Sequence, residues 1–125
     1  MNNKVYTFLK GVNFAKIKAV NFTKRYTLAD ENFTIKENSW VAKIAAWKLK
    51  SSSVAIVFGS SIHLWNSSKA AFLQNKKWLK HELCHIRQYK QHGYFGFLIK
   101  YLWESLRKGY YNNKFEVEAR KAEDE

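Results

Sequence analysis

The stretch Lys76 to His92 satisfies its own residue pattern only as a helix with two unlike faces. With His81 as origin and 100° per residue, Trp78, His81, Glu82, His85, Gln88, Tyr89 and His92 fall in one sector about 120° wide. Leu79, Leu83 and Ile86 fall opposite. The aliphatic side must be buried against a core, and the other side gathers imidazoles and a carboxylate at a cleft. The rest of the chain has to pack around this element.

Within it, His81-Glu82-Leu83-Cys84-His85 reads H-E-x-x-H. Two imidazoles four residues apart share a helix face and can bind one zinc ion, while the adjacent glutamate reaches water at that ion. A chain of this composition would contain the pattern by chance in roughly 0.8% of cases. Zinc of this kind needs a third protein ligand and an open fourth position. His92 has the right azimuth but lies about 10 Å along the axis from His85, whereas ligands of a shared ion each sit about 2 Å from it. A third histidine beyond a glycine bend is also excluded, because Gln88 stands where that glycine would be. A carboxylate from the segment Phe115-Glu116-Val117-Glu118-Ala119 is the better candidate. Glu116 and Glu118 are about 200° apart on a helix and cannot serve the same site. Glu116 shares its face with the small Ala119, which permits close helix approach, and is preferred; Glu118 is the second choice.

The remaining pattern is mixed. Asn38 or Ser39 can cap a predicted helix in which Trp40, Val41, Ile44, Ala45, Trp47 and Leu49 form a stripe expected to lie against the core. Val54–Phe58 and Ile62–Trp65 read as two strands joined at Gly59-Ser60-Ser61, a small antiparallel hairpin. A helical stretch from Lys69 is interrupted near Asn75, the metal helix stops at Gly93, a striped helix follows over 95–107 and ends at Gly109, and Asn112-Asn113 opens a last helix whose tail frays. In residues 1–36, Tyr6, Phe8, Phe14, Phe22, Tyr26 and Phe33 are scattered among lysines without a clean period. This basic aromatic segment reads as short strands or an arm packed on the domain formed by residues 37–125. The fold class is α+β, mainly helical, with a small sheet against the metal helix.

At 125 residues the chain builds one core and leaves no room for a two-lobed protease body. Its single cysteine excludes an internal disulfide and multi-thiolate zinc sites. No apolar run reaches the length of a bilayer span, and residues 1–18 lack a signal-type apolar core, so a cytoplasmic location is expected. The net charge of +12 reads first as a solvated basic surface and otherwise as affinity for nucleic acid, anionic membrane or acidic substrates, and no zinc-finger, helix-turn-helix or RNA-binding signature accompanies it.

His81-Glu82-x-x-His85, followed after one intervening helix by Glu116-x-x-Ala119, resembles the gluzincin metallopeptidases. The run from H-E-L-C-H-I-R-Q-Y through F-L-I-K-Y-L to N-K-F-E-V-E-A is also similar to small, uncharacterised bacterial zincin-like domains, and the resemblance spans about residues 54–122. It implies a minimal zincin-like fold and a zinc-dependent hydrolase, with His81, His85 and Glu116 as ligands. Glu82 is then the general base that activates zinc-bound water against a peptide bond. The strand Ile62, His63, Leu64 and Trp65 resembles the edge strand on which such enzymes lay an extended peptide. Tyr110, Tyr111, His63 and His92 are candidates for stabilising the oxyanion. One departure stands out: many gluzincins place an aspartate after the alanine, where this chain has Arg120. The alternative function is a non-catalytic module of the same fold that binds nucleic acid or anionic membrane through its basic surface.

Overall fold

The computed structural model describes residues 9, 11–13, 18–20 and 25–125. Its elements are β1 (Lys18–Val20), β2 (Arg25–Leu28), β3 (Glu31–Lys36), α1 (Trp40–Leu49), β4 (Val54–Phe58), β5 (Ser61–Trp65), α2 (Lys69–Gln74), α3 (Lys76–His92), α4 (Tyr94–Asn112) and α5 (Lys114–Ala122). The class is mainly helical α+β. The sheet is larger than the expected hairpin: five strands in the order β1-β2-β3-β5-β4, antiparallel except for the parallel pair β3·β5, in register Ile35↔Ile62.

Part of the basic N-terminal segment is therefore sheet. In β3 every second residue is buried, and Glu31, Phe33 and Ile35 face the helices. Glu31 is closed off from solvent but accepts a hydrogen bond from Arg87 (3.1 Å) and forms an ion pair with Lys90 (2.5 Å), which ties the start of β3 to α3. Tyr6, Phe8, Phe14 and Phe22 lie outside the described residues.

This topology corrects the assignment of the edge strand. Ile62, His63, Leu64 and Trp65 belong to β5, which is hydrogen-bonded on both sides, to β3 and to β4. Among the described residues the edge on that side is β4. Gly59, at φ +63°, turns the chain between them, with the Tyr94 ring 3.4 Å from where a Cβ would stand.

The helices α2–α5 bury one sheet face around Ile62, Leu64, Phe72, Leu79, Leu83, Phe97 and Phe115. The helix α1 covers the other face, against Val54 and Trp65. It docks through its smallest residues, Ala42 and Ala46, which are buried, while Trp40, Ile44 and Trp47 point outward. The expected stripe was thus read to the wrong side: close approach of helix to sheet favours alanines at the contact and leaves the large side chains outside. No helix among the described residues is long and apolar enough to cross a membrane.

Because Phe33 fills the core between β3 and α3 rather than lying over a finished domain, Phe33→Ala should cost about 3–5 kcal/mol in urea unfolding. An effect within about 0.5 kcal/mol would show that this strand is peripheral.

Candidate metal centre

The site rests on how α5 is held against α3. Asn113 caps α5 through the Phe115 amide (2.9 Å) and donates to the Tyr101 carbonyl and to Ser105 Oγ, both at 2.9 Å, which fixes the α4–α5 corner. Phe115 packs edge-on against Phe97, and Ala119 is wholly buried. These contacts aim Glu116 at the α3 histidines. His85 Nε2 lies 2.8 Å from Glu116 Oε2 and His81 Nε2 lies 3.2 Å from Oε1. One donor atom from each of the three residues falls within 4.8 Å of the others.

The partners of the other ring nitrogens determine what this geometry needs. Gln88 Nε2 donates to the Phe115 carbonyl (3.1 Å) and to Glu118 Oε2 (3.3 Å), so its Oε1 is the atom that accepts from His85 Nδ1 at 2.8 Å. His81 Nδ1 likewise meets Glu123 Oε1 at 2.8 Å. With both Nδ1 atoms donating, each neutral ring directs its Nε2 lone pair at a carboxylate oxygen. Acceptor then faces acceptor unless a proton or a cation lies between them. The donor set, two imidazoles and a carboxylate with both rings held from behind, is the one that zinc accepts, and it fits the ion.

The electrostatics agree. Burial works to lower the His85 pKa, but Glu116, Glu82 and Gln88 outweigh it and raise the value to about 9. Burial opposes protonation of His81 as well, and Glu116 and Glu82 again raise it. Burial alone would raise Glu116, yet the two histidines hold it far below the usual carboxylate range. Glu82, buried beside them, is pushed up to about 7, chiefly by desolvation, with both histidines opposing. Burial pushes the Cys84 thiol well up, which suits a packed side chain rather than a ligand.

His81, Glu82, His85 and Glu116 line a cavity of about 530 Å³ that is mostly apolar. Every residue of β4 lines it, as do Ala45, Lys48 and Leu49 of α1 and a wall of α4 side chains. The two-residue turn closes on the pair Phe58↔Ser61, so Ala55 and Val57 direct their N–H and C=O groups away from β5. Tyr89 already donates to the Val57 carbonyl at 3.0 Å. Ala55 is the other outward-facing pairing position of β4 and lines the same cavity as the histidines.

Of the four oxyanion candidates only Tyr110 lines the cavity. Gly109, at φ +79°, kinks α4 just before it. Tyr111 stacks on Arg120 at 4.1 Å instead. His63 bonds Ser39 Oγ at 2.9 Å on the α1 side of the sheet, and His92 accepts from Lys100 at 3.0 Å outside the cavity. Tyr101 lines the cavity beside His85 and was not anticipated. Burial and the charge of Glu116 raise both the Tyr101 and Tyr110 hydroxyls, which therefore stay protonated donors at neutral pH.

Glu118 lies behind Gln88 rather than at the histidines. Glu123 also escaped the sequence reading, although it stands seven residues after Glu116 and hence on the same helical face. The helix ends at Ala122, and the non-helical tail keeps contacts with α3: Asp124 lies 4.0 Å from Lys77 and the Glu125 carbonyl accepts from Lys80.

No protein-family model, curated protein or solved structure matches this chain.

A zinc ion bound here would have to displace the extra proton on His85, which the histidine holds below about pH 9. Zinc binding therefore releases protons, and apparent affinity should fall by about tenfold or more for each pH unit lowered between about pH 8 and pH 6. Competition titrations with a chelator check this, and a flat profile would contradict it. Glu123→Ala should weaken zinc binding about 10–100-fold while leaving the fold intact.

Proposed function

We propose that the protein is a zinc-dependent peptidase-like hydrolase of the gluzincin kind. The observation that carries this reading is the convergence of His81, His85 and Glu116, with Glu82 beside them, in a cavity bordered by an edge strand. Zinc, when bound, supplies Lewis acidity that polarises a carbonyl and acidifies water.

The chain's own groups supply the rest. Glu82 is the general base: it is buried, lies next to the ligands and has a pKa raised to about 7, so it can accept a proton from water and return it to a leaving amine near neutrality. The hydroxyls of Tyr110 and Tyr101 stay protonated and hydrogen-bond to Glu116; with a metal on that carboxylate they are the cavity's donors for a developing oxyanion. An extended peptide is held by strand addition on β4 through the Ala55 backbone, and the apolar walls accept a bulky hydrophobic side chain.

Purified protein should bind one equivalent of zinc, and Glu82→Gln should keep that zinc while losing cleavage of a peptide library by about 100-fold or more. His81→Ala and Glu116→Ala should lose the metal itself. Zinc retained with no Glu82-dependent cleavage would reduce the site to a structural one. Ala55→Pro removes an outward N–H without touching the β4·β5 ladder, so it should raise KM more than it lowers kcat.

A further inference from the structure

We infer that the two helices flanking the cavity mouth, α1 and α4, form a platform that docks on an anionic lipid bilayer. On α1, Trp40, Ile44 and Trp47 share one exposed stripe, with Trp47 80% exposed. On α4, Phe95, Ile99, Leu102, Trp103 and Leu106 form another, with Leu106 82% exposed. The members of each stripe recur at three- and four-residue steps, with Trp103 widening the α4 stripe beside Leu102, so each is a continuous strip along its helix. Burial among the described residues does not account for them, because α1 docks through its alanines and α4 through Phe97. Exposed large apolar side chains in such density mark an interaction face.

Charge complementarity decides the occupant. Lys43 and Lys48 flank the α1 stripe on either side, and Lys50 follows it; Lys100 and Arg107 border the α4 stripe. The α1 sequence has no acidic residue, and the α4 sequence has only Glu104, which is buried and turned to the Lys114 amide and Lys108. Tryptophan and leucine on one side, with long basic side chains beside them and no carboxylate, is the composition of a helix lying in a lipid interface. A second copy of a chain with net charge +12 would bring like charges together around the same stripes. Neither helix spans a bilayer. Leu49 and Leu102 belong both to the exposed surface and to the cavity lining, so the docked face surrounds the cavity entrance and favours substrates presented at a membrane surface. The docking itself does not depend on the metal centre.

Co-sedimentation with vesicles tests this, comparing phosphatidylcholine alone with phosphatidylcholine containing about one third phosphatidylglycerol. The full chain should bind the anionic vesicles, with a blue shift in tryptophan emission, and bind neutral ones about tenfold or more weakly. Combined Trp47→Ser, Trp103→Ser and Leu106→Ser substitution should weaken anionic binding by about tenfold or more with thermal unfolding unchanged or improved. Lys48→Gln, Lys50→Gln and Arg107→Gln together should reduce the preference for anionic lipid. Three results would overturn the inference: no vesicle binding, binding unaffected by loss of the apolar side chains, or a wild-type dimer that the apolar variant dissolves. The last would assign the face to a second copy.

Discussion

One carboxylate shared between two imidazoles governs the organisation of this protein. Glu116 faces both Nε2 atoms, and the opposite ring nitrogens are committed to Gln88 and Glu123. Three acceptors in a buried space repel unless positive charge stands among them. A second proton on the histidines or a divalent cation meets that need, and both draw α5 onto α3. The strong opposite shifts of His85 and Glu116 measure the same demand from its two ends.

The surrounding structure keeps that carboxylate in place. The helix α5 is short, and its direction is set at its first residue by Asn113, whose side chain reaches back to α4 and forward to the Phe115 amide. Gln88 then joins the Phe115 carbonyl to His85, so the capped end of one helix and a ligand of another share a side chain. At the far end the Glu123 carboxylate closes on His81. The centre is fastened at both ends of α5, and a shift of that helix would be felt by both histidines at once. Arg120 stacks on Tyr111, while Glu123, one turn further on the same side of the helix, meets the His81 ring.

The helix α3 was legible because its two faces carry different chemistry at a fixed period; azimuth and a small neighbour favoured Glu116 over Glu118 without deciding between them, and it is Glu116 that lies at the two histidines. The sheet was far less so. The turn between β2 and β3 is made by Ala29 and Asp30, both at positive φ, without the glycine or asparagine that usually marks such a hairpin. With that signal missing, residues 25–36 looked patternless, β5 was left without its parallel neighbour, and the edge was assigned to the wrong strand. The stripe on α1 misled for another reason. Hydrophobic periodicity finds an apolar face but does not say whether the chain's own core is what covers it.

That ambiguity bears on the site as well as on the fold. A helix selected only to cover the sheet would gain by burying Trp40 and Trp47, since each offers far more apolar area than an alanine. Instead α1 buries Ala42 and Ala46 and keeps its tryptophans outside, on the helix that also contributes Ala45, Lys48 and Leu49 to the cavity. The opposite wall repeats the arrangement, with Phe97 inward and Leu102 shared between cavity and surface. An edge strand lies between these walls with the histidines at its side, so whatever reaches Ala55 must pass between two apolar, basic helices. The approach to the centre is therefore bordered by α1 and α4, whose side chains line the cavity.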